Sequence, residues 1–454
     1  MHKIAPTITA QVVERADHTI SRKNISNSAL RVLYKLNEEG YAAYLVGGAV
    51  RDLLLGGHPK DFDIATDATP EQVRALFRNC RLIGRRFRLA HVVFGREIIE
   101  VATFRGSSDD GSGDRHVVDG RIVRDNVYGT LDEDAIRRDF TVNAMYYGVD
   151  DFCVRDFVGG FADLKARTLR LIGDPELRYR EDPVRMLRAV RLAAKLDFTI
   201  AADAAAPFAT LGCLLGEAAP ARLFDEILKL FLSGHGLASF RALERSGLQE
   251  HVFPATARSL MGKESAAFRG LIEATLANTD ERVRSEQSVT PAFLFAALMW
   301  APVRELAAHN MAAGDDAQIA WQKASDRVIG EQLARVAVPR RFLYSVEEIW
   351  ALQTRFDQRA RKRVVRLLAH PRFRAAYDFL LLRSRADPES AELNESAAWW
   401  TEAQQLEPHL LAERLAPPKS VRADGVPPRK RARRGRRRRG AGPQEPATAG
   451  PSES

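Results

Sequence analysis

Tyr44-Leu45-Val46-Gly47-Gly48-Ala49-Val50-Arg51-Asp52, with Lys60-Asp61-Phe62-Asp63-Ile64 close behind it, spells strand, glycine turn, helix and strand in succession. Leu45 and Val46 end an apolar strand. Gly47 and Gly48 leave the backbone free to turn tightly and to come close to a ligand. Their N–H groups, with those that open the following helix, can point at an anion, and Arg51 adds a positive fork suited to phosphate. Asp61 and Asp63 are two apart, so on a strand both carboxylates project to the same side. Two such carboxylates repel unless a cation lies between them, and hard oxygen ligands of this kind suit Mg²⁺, which binds through one or two carboxylates and substrate phosphates. A phosphate cradle followed at once by a carboxylate pair points to two-metal phosphoryl chemistry. Taken singly, an Asp-x-Asp is usually a solvated loop and a Gly-Gly a plain turn; the order and the spacing carry the argument.

In that order, Gly47-Gly48-x-x-Arg51-Asp52 and Asp61-x-Asp63 resemble the signature of the polymerase-beta-like nucleotidyltransferases. The resemblance is to the class that holds the bacterial poly(A) polymerases and the CCA-adding tRNA nucleotidyltransferases. Two further strings extend it. Arg137-Arg138-Asp139-Phe140-Thr141-Val142-Asn143 is similar to the family's Arg-Arg-Asp-Phe-Thr-x-Asn, although two arginines beside an aspartate also make an ordinary helix ion pair. The resemblance implies that Arg138 and Asp139 line the triphosphate and metal site, with Asp139 as third acidic catalytic residue beside Asp61 and Asp63. Glu100, inside the apolar strand Ile98 to Arg105, is its rival: either a solvated edge residue or a third metal ligand. Glu181-Asp182-Pro183-Val184-Arg185 resembles the family's Glu-Asp-x-x-Arg, in which the acidic residue and the arginine read the base edge of the incoming nucleotide. An Asp acceptor beside an Arg donor matches the N6 amino group and ring nitrogens of adenine, and Arg188 and Arg191 can hold the triphosphate. Asp182, Arg185, Arg188 and Arg191 step by three, so they form a slanted stripe on a helix rather than one face; as a bare pattern it is also that of a solvated charged face. The segment Gly84 to Gly95 resembles the bacterial poly(A) polymerase branch more than the tRNA branch. The resemblance covers about residues 20–415.

Composition sets the bounds. A chain of 454 residues with 45% hydrophobic content holds a full core and two or three domains. The formal net charge of +9 is unevenly placed: residues 429–454 hold nine Arg and Lys against two Glu. A run of that kind is typically disordered and binds polyanions. Cys80, Cys153 and Cys213 lie far apart and show neither metal nor disulfide spacing, which fits a reduced cytoplasmic setting. No secretory signal is visible. The run Ala292 to Ala301, between Pro291 and Pro302, is too short for a membrane span and reads as a buried helix.

In order, residues 1–27 read as a polar, irregular extension, and Ser28 to Glu39 as an amphipathic helix stopped by Gly40. Thr69-Pro70-Glu71-Gln72 opens a helix with a capping box. Residues 106–120 have loop composition and are expected as a mobile loop between active-site elements. Val154 to Leu164 reads as strand, glycine turn and acidic helix start. Asp182 can cap a helix with Pro183 in its first turn. From about residue 200 the apolar spacing is helical, and Phe293, Trp300, Trp321 and Trp350 belong to the core. Arg361-Lys362-Arg363, with Arg366 and Arg372, is either a basic RNA groove or a solvated helix face.

The implied fold is α+β: an N-terminal polymerase-beta-like nucleotidyltransferase domain with a small mixed sheet, then an all-helical body and a disordered basic tail. The expected boundaries are an extension over 1–27, catalytic domain 28–165, base- and RNA-binding helices 166–235, helical body 236–415 and tail 416–454. The implied reaction is template-independent transfer of AMP from ATP to an RNA 3′-hydroxyl, with Mg²⁺ on Asp61 and Asp63 and phosphates cradled by Gly47, Gly48 and Arg51. RNA 3′ ends and ATP are the implied partners, together with the RNA decay machinery, since a tail marks RNA for 3′ exonucleases. The nearest rival is a CCA-adding enzyme, which shares the three motifs; a non-catalytic RNA-binding protein on an inactive transferase fold is the rival from another class.

Overall fold

A computed structural model describes residues 9–84, 88–106, 115–118, 121–125, 127–263 and 265–415. The parts of the sequence reading that fall on residues 85–87, on 107–114 and on the arginine tail from 416 lie outside the described residues. The chain divides into two units, Met1–Gln405 and Leu406–Ser454. In the second the described element is the helix Pro408–Arg414.

The centre of the first unit is an eight-stranded mixed sheet. Its elements in chain order are β1 (Gln11–Val13), α1 (Asn27–Glu38), β2 (Ala43–Val46), α2 (Gly48–Leu54), β3 (Asp63–Thr66), α3 (Pro70–Leu76), β4 (Cys80–Ile83), β5 (Leu89–Phe94) and β6 (Glu97–Thr103). A separate hairpin, β7 (Arg115–Val118) and β8 (Arg121–Asp125), comes next, then α4 (Leu131–Arg137), β9 (Met145–Gly148), β10 (Val154–Asp156) and α5 (Gly160–Lys165). The strand order is β1-β10-β9-β2-β3-β6-β5-β4. Within this sheet only the β3–β6 pair is parallel, and α3, β4 and β5 lie between those two strands in the chain.

Local chemistry explains the boundaries. Ser26 accepts from Ala29 N–H at 3.1 Å and starts α1, and Gly40, at φ +86°, follows its end. Thr69 and Gln72 close the capping box of α3 in both directions. The carboxylate of buried Asp156 accepts from the N–H groups of Val158, Gly159, Gly160 and Phe161 at 2.9–3.1 Å, which turns β10 into α5.

Two expectations change here. Gln11–Val13 of the extension is an edge strand on β10, with Val13 buried. Part of the expected loop 106–120 is strand: Arg115–Val118 pairs antiparallel with β8, with a register shift between His116 and Val117. β-Branched valines and Ile122 on either side of Asp119-Gly120 are a hairpin signal, and it outweighs the loop composition.

A short parallel pair, β11 (Thr168–Leu169) and β12 (Thr199–Ile200), frames α6 (Pro175–Glu181) and α7 (Val184–Leu196). The rest of the unit is helical, from Pro220–Phe231 to Ala391–Ala403. The apolar run near 292 divides into Pro291–Leu298 and Trp300–Ala312, bent by 49°. Among the described residues no single helix is long and apolar enough to cross a membrane. Phe295, Trp300 and Trp350 are buried in the main core, with Phe293 and Trp321 packed against it.

Candidate active site

β3 starts at Asp63, so Asp61 lies in the lead-in rather than on the strand itself. The alternation nevertheless holds: Phe62 and Ile64 are buried while Asp61 and Asp63 are exposed. Across the sheet Asp63 faces Val46 of β2 on one side and Glu100 of β6 on the other, and Glu100 in turn faces His91 of β5. His91 Nε2 lies 3.3 Å from a Glu100 carboxylate oxygen. Although Asp63 as a whole is exposed, its carboxyl lies against the Gly47 turn; desolvation there, then the charges of Glu100 and Asp61, push it up to about 6, with Arg138 and His91 pulling the other way. Carboxylates crowded in this way store a repulsion that a divalent cation relieves.

Gly47 backs this cluster. Its φ of +76° lies in the region that favours glycine, and a Cβ there would stand 3.7 Å from Asp63 Oδ2. Gly48 opens α2 directly over Arg51: a Cβ on it would meet Arg51 Nη2 at 3.3 Å. Arg51 is 3% exposed and donates to Asp52 Oδ1 (2.8 Å) and Asn143 Oδ1 (2.6 Å). Its guanidinium is thus held by Asp52 and Asn143 directly beneath Gly48.

Asp139 Oδ2 sits 2.6 Å from Arg188 Nη2 while Oδ1 accepts from Phe140 N–H. Burial alone would raise the Asp139 pKa; Arg188 first, then the Phe140 N–H, Arg185 and Asn143, hold it below the usual carboxylate range. The direct partners of Asp139 are thus cationic and amide groups, whereas the carboxylate beside Asp63 is Glu100. Arg138 donates to Asp134 Oδ2 at 2.8 Å and to the Tyr146 hydroxyl at 2.9 Å, and that hydroxyl donates to the same Asp134 oxygen at 2.6 Å. Burial opposes the Arg138 charge, and Tyr146 and Asp134 restore it.

The stripe on α6 and α7 separates. Asp182 does not cap α7: it forms a bidentate pair with Arg222 at 2.8 and 3.0 Å. Arg185 donates to the Arg178 carbonyl (2.7 Å) and Glu181 (3.0 Å), Arg188 pairs with Asp139, and Arg191 pairs with Glu226. Arg178 ties the stripe to the sheet domain by donating to the Arg137 and Arg138 carbonyls at 2.8 and 2.6 Å.

Most of the expected residues fall in three groups: Asp61, Asp63 and Gly47 with Glu100; Gly48, Arg51 and Asp139 with Arg188; and Asp182 with Arg185 beside it, whose charge also lowers the Asp182 pKa after that of Arg222; Arg138 sits with Asp134 and Tyr146, and Arg191 with Glu226. Sequence reasoning missed His91, Asp134, Tyr146 and Arg222. Asp134 had a signal, four residues before Arg138; Arg222, forty residues from its partner, had none. Among the described residues no three or more His, Cys, Asp or Glu side chains form a metal cage. The pair Asp61 and Asp63 beside Glu100 fits the different requirement of Mg²⁺, which takes few protein carboxylates and completes its shell with phosphate and water.

Three family models match the chain: "Poly A polymerase head domain" over residues 43–170, "Probable RNA and SrmB- binding site of polymerase A" over 197–260, and "Polymerase A arginine-rich C-terminus" over 313–439. The chain is 50% identical over 402 residues to poly(A) polymerase I of Salmonella typhi, covering 87% of this chain and 86% of that one. It is 36% identical over 228 residues to the CCA-adding enzyme of Lactobacillus gasseri, covering 50% of this chain and 56% of the relative. The Bacillus stearothermophilus CCA-adding enzyme in complex with CTP superposes with a TM-score of 0.56 at 26% identity, covering 82% of each chain.

Proposed function

The chain belongs to the bacterial poly(A) polymerase family, and on that premise we propose that it extends RNA 3′ ends with AMP taken from ATP. The observation that carries this reading is similarity to a poly(A) polymerase over 87% of the chain, against similarity to a CCA-adding enzyme over 50%. The protein is a nucleotidyltransferase: the RNA 3′-oxygen bonds to the α-phosphorus, the α–β bridge breaks, and pyrophosphate leaves.

Asp61 and Asp63, with Glu100 beside them, would hold Mg²⁺. When bound, Mg²⁺ lowers the pKa of the attacking 3′-hydroxyl and neutralises the departing pyrophosphate. The Gly47-Gly48 turn lets the triphosphate approach the backbone, and Arg51 keeps that turn rigid through Asp52 and Asn143. Arg138 and Arg188 direct positive charge at the triphosphate; Asp134, Tyr146 and Asp139 fix where those guanidinium groups sit. Arg191 stiffens α7 through Glu226. Arg222 orients the Asp182 carboxylate, which accepts from the adenine N6 amino group, and Arg185 donates to a ring nitrogen. A rigid acceptor–donor pair selects one base because the wrong base leaves buried polar groups unpaired.

The product tail marks RNA for 3′ decay in the cytoplasm, and the arginine-rich tail anchors the RNA backbone. A tRNA lacking its 3′ end, offered with CTP, tests the rival. No CMP incorporation is expected; efficient CMP addition would make the chain a CCA-adding enzyme.

A further inference from the structure

A second concave site lies across the sheet from the carboxylate row. Tyr146 shares that row through Val46, so its neighbour Tyr147 points to the opposite face. There a cavity of about 510 Å³ is lined by Arg15, Arg22, Lys23, Tyr34, Tyr147 and Phe152, among others. Its volume falls within the range of small-molecule sites, about 300–1,000 Å³.

Its walls are held in place. Arg22 stacks 4.6 Å over the Phe152 ring and donates to the Tyr34 hydroxyl at 2.9 Å. Phe152 adopts φ +62°, a left-handed conformation that a non-glycine residue holds only when its surroundings impose it. Buried His18 supplies that restraint through Nε2, 2.9 Å from the Phe152 carbonyl oxygen. Arg15 donates to the His18 carbonyl at 3.2 Å. Among the described residues, none of Arg15, Arg22 and Lys23 pairs with a carboxylate. Arg15 and Arg22 also pull the Tyr147 pKa down against the rise that burial causes, so their field reaches the cavity wall. Three uncompensated cations around one aromatic-walled cavity concentrate positive potential there, in a chain whose positive excess otherwise lies in the tail. Arg22 keeps donors free beyond the one given to Tyr34, in the planar fork that matches phosphate.

We propose that this cavity binds a nucleoside di- or triphosphate at a site separate from that of AMP transfer, its phosphates on Arg15, Arg22 and Lys23 and its base against Tyr34. The cavity is open to solvent on one side, and its volume of about 510 Å³ is that of a small-molecule site, room for one nucleotide rather than several residues of an RNA strand. The proposal does not depend on the roles assigned to Asp61 and Asp63.

Equilibrium dialysis of the full chain with labelled ATP and Mg²⁺, without RNA, tests it. The native chain is expected to bind about two ATP per chain. Arg15→Gln/Lys23→Gln is expected to bind about one, with unchanged AMP transfer to RNA. Should the double variant fail to fold, Lys23→Gln alone, at an exposed position, is expected to weaken the second equivalent several-fold and leave the first intact. One equivalent in the native chain overturns the proposal, as do two undiminished equivalents in a folded variant. If a 3′-blocked RNA oligonucleotide displaces the second equivalent, the cavity is an RNA-backbone contact and the mononucleotide assignment falls.

Discussion

At Asp63 the balance of charge makes a pH-dependent prediction. Desolvation and the neighbouring Glu100 charge push its carboxyl up to about 6 from an ordinary 3.8. The folded state therefore holds the proton more tightly than the unfolded one. The stability this group contributes is complete below about pH 3.8 and is lost as the pH rises through 6. Mg²⁺ competes with that proton, so the rise in melting temperature that Mg²⁺ produces should grow from pH 5 to 7 and then level off. Thermal melts with and without Mg²⁺ measure it, and Asp63→Asn should remove the pH dependence. Asp61→Ala and Asp63→Ala should each lower AMP incorporation by more than about a hundredfold while RNA binding persists; appreciable residual incorporation would contradict their assignment as metal ligands. Glu100 and Asp139 separate in the same assays. Glu100→Gln removes a repelling neighbour of Asp63, so it should leave the metal-free melting temperature unchanged or raised while weakening the Mg²⁺ response. Asp139→Asn leaves Arg188 without its partner and should cost about 2 kcal/mol of stability.

The glycine turn, α2 and α7 show which links are local. The Thr69 capping box, the strand-to-helix turn after Asp156 and the alternation of Asp61 and Asp63 were legible because each rests on residues a few positions apart. Arg51 reads as a phosphate ligand because an arginine after a glycine turn has the right charge. Its burial depends on Asn143, ninety-two positions away, and no local pattern reports that. The same limit hid Arg222: Asp182 has a capping position before α7, and a distant guanidinium engages it instead. The β7–β8 hairpin was missed for the opposite reason, since its strand signal is local but was outweighed by the Gly, Ser and Asp around it. The Asp182–Arg222 pair carries a prediction at this scale. Arg222→Met frees the Asp182 carboxylate, so the preference for ATP over GTP, measured as a ratio of kcat/KM values, should fall about tenfold. The rate with a saturating ATP concentration should change less.

For the whole molecule, charge and reaction are divided along the chain. The final 26 residues carry most of the net positive charge, while the carboxylates proposed for transfer lie in the sheet domain. Deleting residues 416–454 should weaken RNA binding and flatten its salt dependence, by about 0.7 in the log–log slope for each phosphate of single-stranded RNA that the tail neutralises. An unchanged slope would remove the tail from the RNA-binding surface. The reaction itself is tested most directly on one gel. The purified chain, Mg²⁺ and a labelled RNA with a free 3′-hydroxyl are incubated with ATP, CTP, GTP or UTP in separate lanes. The predicted result is a long ladder with ATP and little extension with the other three. Extension that stops after a few additions, with CTP used as well as ATP, would contradict the assignment as a poly(A) polymerase.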